Sequence, residues 1–476
     1  MYKKHFIIIL LFSLTLRVFS LNYITTAESI SWNGAYSSVA DGFEAMLYNP
    51  AGLYYSSTRY GFNIFGSYGV RLYSNSISSD DIIKALLMMQ EGKNLTDTGV
   101  LSKILLYMPE SGMDVGIDLS ALNVMTYFKF DKFSLGFSVL PKTSVTATAS
   151  KGIFNTLFNE IDLTAPLSYN LKGSILQYID FNTILSTRAK FLEKYIPVDK
   201  IFVGLSSHFY YPTAFVKTSS SVQMAPGDPD PSTGFLSGYK LRIKGDLIFG
   251  SNGLVTAAAS NSSYLQENGS ALINYGGSAA FGLGLDAGFM IEFNKFVRLG
   301  FAMTDIGFIV FPQTAKIAID VESEIGLDSL NDFANAITAE IADAIEDANG
   351  AAGGTEWWMP GTAFRVGVAV TPLKKGMLTW ATDISLADLN RLLFEGYPTF
   401  NFSTGIEFVP SYRWFSVPLR LAFCYNSQAN APSFSTGIGF YFGPVELEFA
   451  IKGLEFLISG WGAREVCAGV DLKFEF

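Results

Sequence analysis

The sequence predicts an all-β chain folded as a transmembrane antiparallel β-barrel, and three observations predict it. Apolar residues alternate with polar or small ones at period two almost from end to end. The 476 residues are 49% hydrophobic and 15% aromatic but only 16% charged, where an ordinary soluble domain is about 25% charged. A spanning helix needs about 20 consecutive apolar residues, and the longest clean run is only Phe6–Phe12. A helical membrane protein is thereby excluded. Disorder is excluded too, because disordered chains lack aromatics and this one has 41 Phe and 23 Tyr.

The first element is an export signal over residues 1–20. Lys3 and Lys4 form a basic start, Phe6–Leu16 a short apolar stretch, and Val18-Phe19-Ser20 after Arg17 a small-residue cleavage site. No Cys lies nearby, so no lipoprotein anchor is indicated. The net charge is −10, and no basic stretch could track a phosphate backbone, so nucleic acid is excluded as a partner.

Residues 21–57 lack strand alternation and are rich in small residues; Asn49-Pro50 makes a turn. In a barrel, a non-strand segment of this length can fold into the lumen as a plug. Residues 58–476 then form the barrel. Met113, Val115, Ile117 and Leu119 alternate with Asp114, Gly116, Asp118 and Ser120. Ala280–Phe293 turns at Asn294-Lys295 into Phe296–Ile309; Asn401–Val409 turns into Phe415–Asn426; Phe434–Phe442 turns at Gly443-Pro444 into Val445–Ile451; Glu465–Phe476 is the last strand. About fifteen candidate strands can be counted, although such a barrel should have an even number. The pattern is weakest over 152–195. In the clearest strands one face is wholly apolar while the other carries charge, as in Val445, Leu447, Phe449 and Ile451 against Glu446 and Glu448. Alternation alone fits a soluble sandwich as well. The export signal, the aromatic load and the low charge favour the membrane, with lumen charges such as Arg420, Glu446 and Glu448 in structural ion pairs.

Three segments depart from the strand pattern and are expected on the outer side, where barrels carry their long loops. Ser79–Gly92 reads as a short helix, Ala225–Gly234 as a turn-rich loop, and residues 323–348 as an acidic helix.

Chemistry is sparse. The two histidines are His5, in the signal, and His208, which leaves no His-rich metal site and no identifiable triad. Gly282-Leu-Gly-Leu-Asp-Ala-Gly288 lies inside an alternating strand. Its glycines read as close packing rather than as a dinucleotide loop. Cys424 and Cys467 read as free thiols packed as small hydrophobes. No cofactor and no enzyme activity are expected.

The string Gly34-Ala35…Ala40-Asp41-Gly42…Tyr48-Asn49-Pro50-Ala51-Gly52-Leu53 resembles the N-terminal hatch of FadL-type outer-membrane transporters, and more closely a group of spirochaetal FadL-like proteins. The resemblance covers the whole chain: signal, hatch, strands and C-terminal aromatic. It implies a 14-stranded barrel in the cell outer membrane with an N-terminal hatch inside the lumen. It further implies uptake of long-chain fatty acids or other hydrophobic small molecules, with lateral exit through a strand kink. Asn49, Pro50, Ala51 and Gly52 are the positions carried over, as substrate-binding or hatch residues that shape and gate a pocket. Phe476, with Phe474 and Leu472 on its face, resembles the terminal strand recognised by barrel-assembly machinery. The expected partners are a long-chain fatty acid or similar ligand, outer-membrane lipid and that machinery. Two alternatives remain: a general diffusion porin, and a structural or secretion-associated partner barrel.

Overall fold

A computed structural model describes residues 26–63, 67–81, 112–121, 123–152, 167–226, 238–251, 280–326, 351–372, 377–389, 398–412, 414–457 and 462–476, with residues 84, 105, 106, 108, 109. The export-signal reading of residues 1–20 lies outside them.

Fourteen antiparallel strands close into a barrel. They are β1 (Tyr60–Asn63 and Ser67–Ser74), β2 (Met113–Ser120 and Val124–Lys129), β3 (Phe133–Ala149), β4 (Leu167–Arg188), β5 (Lys200–Pro226), β6 (Gly238–Ser251 and Phe281–Phe293), β7 (Val297–Gly326), β8 (Ala351–Trp358 and Ala363–Val370), β9 (Leu378–Ala387), β10 (Thr399–Phe408), β11 (Leu419–Asn426), β12 (Ala431–Phe442), β13 (Val445–Lys452) and β14 (Glu465–Glu475). Each strand pairs with the next. Closure comes where β14 meets β1, with Val470 opposite Tyr68 and Phe474 opposite Phe62. The last residue seals this seam: the Phe476 carbonyl accepts from Arg59 N at 2.7 Å, and its N–H donates to Tyr60 O at 2.9 Å. Fourteen corrects the count of fifteen and satisfies the even-number rule.

The side-chain distribution is inside-out and decides between barrel and sandwich. On β11, Leu421 is 61% exposed while its neighbour Arg420 is 4% exposed. On β14, Val470 is exposed while Asp471 and Lys473 are buried. An apolar outer face with charges turned inward suits lipid outside and a polar lumen inside. Exposed aromatics cluster beside the turns at the end holding both termini, including Tyr60 stacked on Phe476 (5.1 Å) and Phe130 against Phe133 (4.8 Å). Such girdles mark a membrane interface.

Among the described residues, three in-strand prolines lie where a neighbouring strand offers no described partner. Between Val139 and Lys142, β3 runs past the break in β2, and Pro141 falls there. The first run of β6 ends at Ser251 and the second begins at Phe281, and 252–279 lies outside the described residues. On one side β5 is unmatched from Tyr211 to Thr213, around Pro212; on the other β7 is unmatched from Phe311 to Thr314, around Pro312. A residue without an N–H leaves no donor unpaired where the neighbouring strand is missing.

Several expectations are corrected here. The strand read as ending at Ile309 continues to Gly326, past Pro312. Residues 323–326 therefore belong to β7 and not to an acidic helix; 327–348 lies outside the described residues. Ala225 and Pro226 end β5, and the remainder of that loop also lies outside them. Residues 79–81 begin a helix as read. The weak stretch 152–195 contains the 22-residue β4. The buried positions switch from the odd Tyr169 and Leu171 to the even Leu176 and Tyr178, so period two is broken mid-strand; further on, a register shift at Gln177/Tyr178 leaves Thr213 of β5 as the extra residue.

Candidate functional site

The N-terminal segment sits inside the barrel as three short helices, α1 (Ala27–Ser31), α2 (Gly42–Tyr48) and α3 (Gly52–Tyr55). The Thr26 side chain caps α1, accepting from Ser29 N at 3.2 Å. Phe43, Met46 and Leu53 are buried against Met125, Tyr127, Leu140 and Ile184 of the wall, while Trp32, Tyr36 and Tyr48 pack near Ala369 and Ala381.

The predicted residues form the tightest part of this seat. Gly204 on β5 and Gly288 on β6 are directly paired, and the Asn49-Pro50-Ala51 turn rests on both. A Cβ on Gly204 would lie 2.2 Å from the Pro50 carbonyl carbon, and one on Gly288 2.2 Å from Asn49 Oδ1. Asn49 is fully buried. Its Nδ2 donates to Ser37 O at 2.7 Å and to Phe289 O at 3.4 Å, and its Oδ1 accepts from Ala51 N at 3.2 Å. Ser186 Oγ donates to Ala51 O at 3.0 Å. Gly52 leaves no room for a side chain, because its Cβ would lie 2.0 Å from Ala40 O. The motif therefore spends its polar atoms on seating the segment.

Ion pairs lock the same segment to the wall. Lys473 Nζ of β14 contacts Glu28 of the N-terminal segment at 3.0 Å, Glu448 of β13 at 3.1 Å, and Glu44 of α2. Arg420 reaches Glu28 at 3.2 Å, Glu407 at 2.6 Å and Glu448 at 2.8 Å. Arg420 and Glu448 are thus paired as the sequence suggested. Glu28, Glu44 and Glu448 bring carboxylate oxygens within 4.8 Å of one another. That spacing would hold a cation, and the Lys473 ammonium supplies the charge. Asp471 Oδ2 accepts from Ala27 N at 2.6 Å, and Asp383 Oδ2 from Ser37 N at 2.7 Å. Arg298 lies over the Tyr55 ring and Arg365 over Tyr48. Burial pushes the Asp41 carboxyl up to about 7, and the nearby Glu475 carboxylate adds to the effect. Burial also holds Glu44 well above the usual carboxylate range, against the pull of Lys473.

A second lumen site lies between the two described runs of β6, close to Ala280. Leu176, Tyr178, Tyr210, Phe215, Ala280, Ile309, Phe311 and Trp358 form one buried apolar cluster. Tyr178 meets Tyr210 edge-on at 5.6 Å and Trp358 at 6.0 Å, and Phe215 stacks on Phe311 at 4.9 Å. A polar cluster adjoins it. His208 Nδ1 lies 2.9 Å from Asp180, and its Nε2 lies 2.9 Å from Asp286. A doubly protonated imidazolium satisfies both contacts. Lys142 Nζ reaches Asp180 at 3.2 Å and lies 5.8 Å from the Tyr178 ring. Asp305, on a bulge at φ +57°, has its N–H bonded to Asp286 Oδ1 at 2.6 Å, and Tyr210 Oη donates to its carboxylate at 3.5 Å. The sequence reading singled out only His208 of these. The others come from different strands, and no spacing along the chain links them. The available signal was the pair of in-strand prolines, Pro212 and Pro312, which bracket the site.

Apolar outside, charged inside and filled by its own N-terminal segment, the molecule is a plugged transmembrane β-barrel. The chain belongs to a family of unknown function (DUF5723), which matches residues 50–449. A comparison with curated proteins finds no match. Among solved structures, a TodX deltaS2S3 mutant monoaromatic hydrocarbon channel is similar at 14% identity, covering 95% of this chain and 99% of its own, with a TM-score of 0.47. The Ralstonia pickettii toluene transporter TbuX is similar at 11% identity, covering 96% and 100%, with a TM-score of 0.46. The P. putida toluene transporter TodX is similar at 12% identity, covering 95% and 98%, with a TM-score of 0.45.

Proposed function

We propose that the chain is an outer-membrane channel for uptake of hydrophobic small molecules, long-chain fatty acids among the candidates, gated by the N-terminal segment as a hatch. The observation that carries this reading is the pairing of a lumen filled by the N-terminal segment with a buried apolar cluster on the inner face of the wall. A plugged lumen suits a cargo that avoids water. Burial of apolar surface supplies affinity at about 0.8 kcal/mol per CH₂, so a long chain needs little polar help. The FadL-type resemblance of the N-terminal string points the same way. In this reading Asn49, Pro50, Ala51 and Gly52 set the position of the hatch rather than grip the cargo. The porin alternative needs an open lumen, and the segment packed at α1–α3 speaks against it.

The test is a titration of the refolded chain in detergent with hydrophobic probes, paired with single-channel conductance. Saturable binding with negligible steady conductance is the expected result. A steady ion current through the intact barrel would overturn the reading in favour of a porin. Absence of binding in a folded, stable complex with another protein would favour the partner barrel.

A further inference from the structure

We infer that the cluster around Trp358 is a subsite for an uncharged amphiphile, a hydrocarbon with a neutral oxygen head such as an alcohol or ketone, and that it discriminates against carboxylates. The inference rests on the proposed function and narrows its cargo. The first observation is a donor without an acceptor. Trp358 is 6% exposed, and its indole Nε1–H has no hydrogen-bond partner among the described residues. A buried N–H left unmade costs about 1–3 kcal/mol, and a molecule that fills the cluster with an oxygen acceptor would recover it. Trp358 lies in one buried cluster with the rings of Tyr178 and Phe311 and the side chain of Ile309. The tail of such a ligand therefore meets rings while its head meets the unpartnered indole donor.

The second observation is the sign of the neighbouring charge. On the far side of Tyr178 and Tyr210 stand three carboxylates, Asp180, Asp286 and Asp305, against Lys142 and His208. Even with His208 as an imidazolium, the carboxylates outnumber the cations. Lys142 and His208 are already engaged, Lys142 with Asp180 and His208 with Asp180 and Asp286. No cation of this cluster is left over for an anionic head, and at low dielectric the uncompensated carboxylate repels one. A neutral acceptor carries no such penalty.

The experiment compares 1-decanol, decane and decanoate at pH 8 as competitors for a fluorescent apolar probe on the refolded full chain. Decanol is expected to bind about tenfold or more tightly than decanoate. Trp358→Phe keeps the ring and removes the N–H, so it should lower the decanol-to-decane affinity ratio about two- to tenfold, the range of one net hydrogen bond. Asp305→Asn, which suits the same backbone bulge, should narrow the gap between decanol and decanoate without needing Trp358 to change. Decanoate binding as tightly as decanol, or an unchanged ratio in W358F, would overturn the subsite while leaving a hydrophobic channel standing. A folded barrel that binds none of the three probes would overturn the channel reading itself.

Discussion

Gly204 and Gly288 face each other across β5 and β6, and their missing side chains are the slot in which Asn49 and Pro50 rest. Neither glycine sits in a turn. Both serve close approach between wall and plug. Gly288→Val should therefore act on the plug first. Overpacking of this kind costs about 1–3 kcal/mol. The variant is expected to keep its β-sheet circular dichroism and heat-modifiable mobility, while its conductance rises above that of the parent.

The Lys473 ammonium is the shared counter-charge of Glu28, Glu44 and Glu448. Removing one partner of a buried ion pair costs about 3–5 kcal/mol, so Lys473→Met should release the N-terminal segment. Cys467 reports on this. It is fully buried beside Ala27 and Ile30 of that segment. Cys467 should resist a water-soluble maleimide in the parent barrel and react in K473M. Equal labelling in both would show that the lock does not hold the segment.

Asp41 makes the plug sensitive to pH. Its folded-state value is raised from 3.8 to about 7 by burial and by Glu475. Below about pH 4 the group is neutral in folded and unfolded chains alike, and it costs nothing. As pH rises from about 4 toward 7, the unfolded chain gains by ionising while the folded one resists, so stability falls across that window and levels off above it. Thermal unfolding followed across this range should show the decline, and Asp41→Asn should flatten it.

His208 holds two carboxylates apart from open repulsion. With His208→Leu, Asp180 keeps only Lys142 and Asp286 loses its imidazole partner. A loss of about 3–5 kcal/mol is expected in urea unfolding. The double variant H208L/D286L removes donor and acceptor together, so it should recover part of that loss; a strictly additive result would show that the pair is not coupled.

The wall was legible in the sequence because lipid and lumen impose opposite demands on successive residues. Leu419 and Leu421 against Arg420, or Phe449 against Glu448, carry that message locally. The plug was legible through the absence of alternation before Tyr60. What escaped was whatever depends on two strands at once. The strand expected to end at Ile309 continues past Pro312 to Gly326. Pro312 falls where β7 has no described partner on the β6 side, between the pairs Val310–Phe281 and Ala315–Phe249, and no window along the chain reveals that. The acidic run after Val321 has helical spacing, yet Ser323–Gly326 extends β7 opposite β6, where pairing overrides local preference. The site around Tyr178, Tyr210 and Trp358 is likewise assembled from β4, β5, β7 and β8, and no one strand carries a local signature of it.

The position of Lys473 bears on how the molecule is put together. It lies on the final strand, three residues before the end of the sequence, while two of its carboxylate partners, Glu28 and Glu44, lie among the first residues described. Until that strand docks, Glu28 and Glu44 lack their shared counterion, and the seam at Tyr60 and Phe476 stands open. Sealing the cylinder and capturing its stopper are then one event, so a half-assembled barrel would be both unzipped and uncorked.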